Sequence, residues 1–231
     1  GEQAETYFRE SLTTLGESAD PWAKAQAMAG IAYVLTDRGE FPQAVEYLQS
    51  SLELYRSIGN REGIAGALLD LGQVAMFQGN LSEAAVHYQQ SLTSFRDIED
   101  RWGMAAVLNN LGFIALQQEQ YPEAEQHFEN SREMLQAIGD RASVANTINN
   151  LGHVAKGRKD YPKALGHYRQ ALRDALELGA DPIALESLVG IASVYVQDQR
   201  DSEALELLRL ATRHPATNPE IKSLAEPIIS A

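Results

Sequence analysis

The sequence predicts an all-α solenoid, a stack of helix pairs, and three observations lead to this fold class. Residues 65–75, 105–115 and 145–155 are copies of one segment, so the sequence repeats with a period of 40. Apolar residues within each copy follow helical spacing, and turn residues such as glycine and proline separate the helical stretches. A fixed period of this size indicates a repeat array, in which each helix pair buries its apolar face against its neighbours.

The repeating pattern predicts five pairs of helices. The first helices are predicted at about 22–37, 61–78, 101–118, 141–158 and 181–197. The second helices are predicted at about 41–57, 81–98, 121–138, 161–178 and 201–213. The five repeats therefore cover 22–58, 61–98, 101–138, 141–178 and 181–213 of a single solenoid over 1–231.

Both ends of the chain depart from this pattern. Residues 1–17 resemble the second helix of a pair without its first helix, or an N-terminal cap, with apolar residues at helical spacing over 2–15. Residues 217–230 predict a short helix that begins after Pro219 and is disturbed near its end by Pro227. A terminal helix that covers the apolar face of the last repeat is what a solenoid needs for solubility.

The turns carry the residues that end one helix and begin the next. Gly59, Gly139 and Gly179 follow second helices, where glycine accepts the left-handed conformation that stops a helix. Asn60 and Asp140 come next and are expected to cap the following helix.

Glycine also recurs inside the first helices, at positions 72, 112 and 152. A glycine within a helix costs about 1 kcal/mol relative to alanine, so its repetition at one phase needs a reason. We expect a close contact between helices at these three positions that leaves no room for a methyl group.

Composition restricts the kind of function. The chain has no cysteine, and its 32 acidic and 19 basic residues give a net charge of −13. Phosphate backbones would be repelled, so no nucleic-acid partner is expected. The charge indicates either the solubility that an extended surface needs or a preference for basic or neutral ligands. No apolar run approaches the roughly 18 residues that span a bilayer, and no signal peptide is visible at Gly1, so we expect no membrane partner and a cytoplasmic location.

The order of key residues within a repeat resembles the tetratricopeptide repeat. A Leu-Gly pair is followed by alanine, then by an aromatic residue and then by a small residue. This order is carried by Leu71-Gly72, Ala84, Tyr88 and Ser91; by Leu111-Gly112, Ala124, Phe128 and Ser131; and by Leu151-Gly152, Ala164, Tyr168 and Ala171. The resemblance implies a right-handed superhelix of helix-turn-helix pairs that binds proteins or peptides. The period of 40 exceeds the family's common 34, which implies longer helices.

Junctions such as Ile138-Gly139-Asp140-Arg141 make the chain similar to the C-terminal sensor arrays of bacterial STAND-type signalling ATPases and large transcriptional regulators. That resemblance implies a non-catalytic, ligand-sensing module whose ATPase and effector domains lie upstream in the same polypeptide. Lengthened repeats with asparagine pairs are also similar to kinesin light chains and bacterial peptide-pheromone receptors, and the alternative function is that of a scaffold or adaptor that joins two proteins. All of these imply a binding groove rather than an active site.

The predicted groove lies on one face of the first helices, which lines the concave side in tetratricopeptide repeats. The candidate ligand-binding residues share this face: Tyr33, Leu69, Gln73, Met76, Asn109, Asn110, Phe113, Asn146, Asn149, Asn150, His153 and Lys156. Amides can bond a peptide backbone, while aromatic residues and methionine can accept its side chains.

Two consecutive first helices carry asparagine pairs, at Asn109-Asn110 and Asn149-Asn150, and so the ligand is expected at repeats three and four. Asp70 takes the second position of the pair in repeat two, and glycine takes it in repeats one and five. The alternative, equally weighted, is that these asparagines bond neighbouring helices within the array, because asparagine is a poor helix former and needs some compensation.

The residues give no support for catalysis, a cofactor or a metal. His87, His127 and His167 recur at one phase, but successive repeats place them too far apart to share one ion. No phosphate-binding glycine loop and no pairing of a nucleophile with a base is present. We therefore expect no enzyme activity in this chain.

Overall fold

The structure is a computed structural model that describes residues 6, 8, 10 and 20–229. The predicted helix over 2–15, and with it the N-terminal segment 1–17, lies outside the described residues apart from Thr6, Phe8 and Glu10. The phenyl ring of Phe8 packs on α1, where it lies so close to Gly30 that a methyl carbon there would be 2.5 Å from the ring.

The protein is all-α: the described part of the chain contains eleven helices and no strand. They are α1 (Pro21–Asp37), α2 (Phe41–Ser57), α3 (Arg61–Phe77), α4 (Leu81–Asp97), α5 (Arg101–Gln117), α6 (Tyr121–Ile138), α7 (Arg141–Gly157), α8 (Tyr161–Leu178), α9 (Asp181–Gln197), α10 (Asp201–Arg213) and α11 (Pro219–Ile229). The helices α1 to α10 begin and end within one residue of the predicted bounds. The helix α11 continues through Pro227 to Ile229.

A residue in the left-handed conformation ends each helix from α1 to α9, at intervals of 20 residues. Five of these residues are glycines, as at Gly59 (φ 67°), but the other four are Glu99, Glu119, Lys159 and Gln199. We had predicted this conformation only at glycines, and these four residues depart from that prediction. The left-handed conformation costs a non-glycine residue about 1–2 kcal/mol, which helix packing and the closing backbone hydrogen bonds must offset. One such bond joins the Asp100 amide to the Phe95 carbonyl over 3.0 Å.

The first helices are capped as expected. The side chains of Asn60, Asp100 and Asp140 each accept a hydrogen bond from the backbone N–H three residues later, over 2.9 to 3.0 Å. Such a bond satisfies one of the free N–H groups of the first turn. Caps at a spacing of 40 residues fix where α3, α5 and α7 begin, and therefore which of their residues share a face.

The chain divides into two compact units, with the boundary inside α5, between Val107 and Leu108. In the first unit each helix from α1 to α4 packs on its neighbours in sequence, and α1 also contacts α3. The core there is built from aliphatic residues such as Ile31, Leu35, Leu48 and Leu71 together with the buried ring of Tyr55.

The second unit repeats this arrangement from the end of α5 to α11. Each helix from α6 to α10 packs on the next, and α7 also contacts α9. The helix α11 packs on α9 and α10 and buries Ile221 and Ala225 completely. None of the helices in the described part of the chain is long and apolar enough to cross a membrane.

The repeated glycines are explained by aromatic rings of the second helices. Methyl carbons added at Gly72 and Gly152 would lie 2.6 Å from the rings of Tyr88 and Tyr168, and one at Gly112 would lie 2.7 Å from Phe128. These three rings are fully buried. The predicted close contact between helices is therefore confirmed, and in each of these three pairs one large side chain packs directly against the backbone of the first helix.

Candidate functional site

The candidate site lies in the first unit, on the face that α1 and α3 present together. On α1 this face carries Trp22, Gln26, Ala29 and Tyr33, which recur at helical intervals of three or four residues. Two recesses open on it, and the side chain of Asp70 on α3 lines both of them.

The aromatic recess, defined by Tyr33, Phe41, Asp70, Gln73 and Phe77, has a volume of about 560 Å³. Tyr33 and Phe77 are 77% and 54% exposed, which is unusual for large aromatic side chains in a folded chain. The Phe77 ring stacks on Phe41 with centroids 6.4 Å apart and planes 21° apart. Exposed rings around a concave space are a typical lining for apolar ligand side chains.

The tryptophan recess, defined by Trp22, Gly66, Leu69, Asp70 and Trp102, has a volume of about 450 Å³. The two tryptophans are 43% and 55% exposed and stand near the start of α1 and α5, at the same register position two repeats apart. Leu69 is half-buried in the recess.

Asp70 has an unusual electrostatic environment for a residue that solvent can reach. The surrounding protein atoms remove part of the hydration of the carboxylate and raise its pKa to about 6 from 3.8. Burial of the Tyr88 phenol, and next the charge of Asp70, raise the pKa of Tyr88. The carboxylate accepts no hydrogen bond and forms no ion pair within the described residues.

Gly66 contributes open space to the tryptophan recess. A methyl carbon added at Gly66 would meet no atom within 4 Å, in contrast to the three repeated glycines. The same is true of Gly166 on α8, a fully exposed position. Packing therefore gives no reason for glycine in the middle of α3, where it costs about 1 kcal/mol relative to alanine.

Of the residues proposed from sequence, Tyr33, Leu69 and Gln73 line these recesses. Met76 instead is half-buried against α4, where its sulfur accepts a hydrogen bond from the Tyr88 hydroxyl over 3.9 Å. The other proposed residues belong to the second unit.

In the second unit the asparagines form bonds between first helices. The Asn150 amide donates to Asn109 Oδ1 over 3.0 Å, and the Ser187 hydroxyl donates to Asn149 Oδ1 over 3.0 Å. Asn149 is 0% exposed and Asn150 is 2% exposed. Both side chains are thus buried and make the interhelical bonds of the alternative, while the Asn149 amide nitrogen has no partner within the described residues. Ligand contact at Asn149 and Asn150 stays a prediction.

The remaining proposed residues of this unit are half-buried: Asn109, Asn110, Phe113, Asn146, His153 and Lys156. The ring of Phe113 meets Phe128 edge to face at 5.7 Å. His153 Nδ1 lies 2.8 Å from the Tyr168 hydroxyl, and burial, helped by the charge of Lys156, lowers the pKa of His153 to about 3. The imidazole is therefore neutral at pH 7 and already has a partner.

Sequence reasoning missed Trp22, Phe41, Asp70, Phe77 and Trp102. Two signals were available. Phe77 and the tryptophans occupy register positions that hold small or polar residues in other repeats, as at Gln117 and Ala142. Asp70 interrupts an otherwise apolar stretch of α3, and we had used it only to exclude repeat two.

Helix hairpins in steady succession, with a groove on the face of the first helices, define the class of helical repeat proteins. The chain belongs to the tetratricopeptide repeat family. One family model of that description matches residues 24–97 and 103–177, and a second matches 69–133 and 149–219. Tetratricopeptide repeats mediate protein and peptide binding and are generally non-catalytic.

Solved structures of the same fold are similar over nearly the whole chain. BtubC (BKLC) from P. vanneervenii has a TM-score of 0.78 at 19% identity, covering 97% of this chain and 92% of that one. NprR in complex with its cognate peptide NprX has a TM-score of 0.75 at 15% identity, covering 99% and 71%.

A STAND protein with a tetratricopeptide repeat sensor from Pyrococcus horikoshii has a TM-score of 0.76 at 17% identity. The match covers 98% of this chain but only 37% of that protein. At these identities the likeness establishes the fold alone. No match was found among curated protein sequences.

Proposed function

We propose that this chain is a non-catalytic peptide-binding module whose ligand lies along the α1–α3 face of the first unit. The observation that carries the proposal is the pair of recesses that meet at Asp70, with exposed aromatic rings in each. Extended peptides bind such surfaces through side-chain pockets at intervals along the chain.

The glycine at position 66 supports the same site. Natural helices place alanine where space allows a methyl group at no cost, yet this position keeps glycine although nothing within 4 Å would oppose a side chain. A ligand backbone that approaches α3 closely would account for the glycine, because only glycine leaves that space free.

The test begins with peptides selected for binding from a random display library and uses Gly66→Ala with Gly166→Ala as its matched control. Both changes should raise the free energy of unfolding by up to about 1 kcal/mol, since both replace a mid-helix glycine with room for a methyl group. Only Gly66→Ala should weaken the selected peptides, measured by calorimetry. Phe77→Ala should weaken them as well, whereas Val86→Ala, which removes an exposed side chain from α4, should not.

The result that would reject this site is equal affinity in Gly66→Ala, Phe77→Ala and the two controls. Selected peptides that lose affinity only on changes in the second unit, such as Phe113→Ala or His153→Gln, would return the site to the face first predicted from sequence.

At a finer level, we propose that the module is the ligand-sensing part of a bacterial, cytoplasmic STAND-type protein, with the ATPase and effector domains upstream in the same polypeptide. The sensor array of the Pyrococcus horikoshii protein supports this. The net charge of −13 on the present chain supports partners other than nucleic acid or anionic membranes. The reading frame that encodes the chain should also encode a nucleotide-binding domain, which sequencing of that frame would reveal.

The alternative function is that of a peptide-pheromone receptor or an adaptor. The peptide complex of NprR favours the receptor. A receptor would bind one short peptide secreted by its own host, while an adaptor would hold two proteins at once. Sedimentation of the chain with one selected partner, and then with two partners together, distinguishes a receptor from an adaptor.

A further inference from the structure

The charges around the two recesses are mostly of one sign. Asp37 and Asp70 line the aromatic recess, where Arg38 is the single cation among the described lining residues and lies 4.0 Å from the carboxylate of Glu40. Glu62, Asp70 and Asp100 line the tryptophan recess, and none of its described lining residues is lysine or arginine. A carboxylate in a partly desolvated recess attracts a cationic group more strongly than one on an open surface.

Asp70 is the carboxylate best placed to receive such a group. Asp100 already accepts the capping bond of α5 from the Gly103 N–H. Asp70 has no hydrogen bond or ion pair within the described residues and belongs to both recesses. A ligand ammonium or guanidinium there would supply the missing partner and repay the lost hydration of the carboxylate.

The position of Asp70 along α3 sets the register of a ligand. Glu62 and Phe77 mark the two ends of the lined face, and fifteen residues of helix between them span about 22 Å. An extended peptide covers that distance with about seven residues. Asp70 stands near the middle, with the tryptophans on one side and Tyr33 and Phe77 on the other.

We propose that the α1–α3 face takes an extended peptide segment with a lysine or arginine near its middle and an apolar side chain on each side. The cationic group pairs with Asp70, and the apolar side chains enter the aromatic and tryptophan recesses. This inference rests on the proposed peptide-binding function and adds the chemical class of the ligand.

The experiment uses an array of terminally blocked heptapeptides, randomised except at the central residue, which is lysine, arginine, methionine or glutamate. Wild-type protein should favour lysine and arginine over methionine by about tenfold, which corresponds to about 1.4 kcal/mol, and should reject glutamate. Asp70→Asn keeps the shape of the side chain and removes its charge, so it should abolish the preference for a cation and leave the flanking apolar preference intact. Glu53→Gln is the matched control: it removes one charge from an exposed position on α2 that lines neither recess, and the preference should persist.

Each other outcome overturns the proposal in a distinct way. Binding without a preference for a central cation, or with the same preference in Asp70→Asn, rejects the cationic ligand and leaves the peptide-binding function standing. No binding by any of the heptapeptides rejects both. A chain that dimerises in sedimentation, with a dimer that Asp70→Asn disrupts, shows that a second copy occupies the face.

Discussion

Asp70 in the first unit and Asn150 in the second occupy the same register position, two repeats apart, and yet their surroundings are opposite. Asn150 is buried and donates its hydrogen bond to Asn109 on the preceding first helix. The position on α1 that corresponds to Asn109 is Ala29, which has no polar atom in its side chain. Ala29 therefore offers Asp70 no partner, Asp70 has none among the other residues that the structure describes, and the space beside Ala29 is part of the tryptophan recess.

We infer from this comparison that the residue on the preceding helix influences which group a polar side chain at this position contacts. Where the two helices carry complementary amide side chains, these form a hydrogen bond that joins the helices. Where the preceding helix offers alanine, the polar group faces an open recess and is free for a ligand. Two exchanges, alanine for Asn109 and aspartate for Asn150, thus separate the open recess of the first unit from the closed contact of the second.

The largest effect is expected from breaking the closed pair. Asn150→Ala should lower the free energy of unfolding by about 1–3 kcal/mol, because it removes the donor and leaves Asn109 Oδ1 half-buried without it. Urea unfolding measures the change. Asn130→Ala on α6 is the control, since it removes an asparagine whose bond with Gln126 is exposed, and it should shift stability by less than about 0.5 kcal/mol. A cost for Asn150→Ala no greater than the control would mean that the pair does not join the helices.

A smaller effect is expected from building the closed pair in the first unit. Ala29→Asn combined with Asp70→Asn places the Asn109 and Asn150 side chains at the corresponding positions of α1 and α3. A double-mutant cycle should give a favourable coupling of about 0.5–1.5 kcal/mol, the net contribution of one hydrogen bond. Peptide affinity should fall as the recess fills. Zero coupling would mean that the helix spacing, and not the residue at position 29, keeps this face open.

The smallest effect is a pH dependence of stability at Asp70. Its pKa in the folded protein, about 6, exceeds the ordinary 3.8, so between these values the folded state binds the proton more tightly than the unfolded chain. Wild type should therefore lose stability relative to Asp70→Asn as the pH rises from 4 to 6, and the gap should be constant above that. Thermal melts of both proteins across this range measure the gap. A gap that does not change with pH, or that closes as the pH rises, would contradict a desolvated carboxylate.

The fold followed from the sequence because its determinants are local and repeated. Caps such as Asn60, and glycines such as Gly152 opposite Tyr168, recur every 40 residues and each predicts a contact that the structure contains. The left-handed residues at Glu99 and Lys159 were less predictable, because packing imposes a conformation there that the residue type does not favour.

The site was less predictable because it depends on pairs of residues about 40 positions apart. An asparagine at position 150 looks the same in the sequence whether it meets a ligand or Asn109, and only the neighbouring helix distinguishes the two. The aromatic residues were hidden for another reason. Trp22, Trp102 and Phe77 break the repeat pattern, whereas the candidate residues that we chose from the sequence follow it.

Because a left-handed residue recurs every 20 positions, each helix with its turn has the same length. This constant length has a consequence for how the sequence can change. One residue inserted in a helix turns everything after it by about 100° and detaches each side chain from its intended neighbour. A block of 40 residues can instead be exchanged by recombination without rotating the helices that follow, because each block starts and ends at the same position of the repeat. Moving the segment 101–140 into the place of 61–100, for example, would substitute Asn110 for Asp70 and Gln117 for Phe77. New ligand preferences are thus accessible to such an array through copying of whole blocks, with the glycine–aromatic contacts carried along intact.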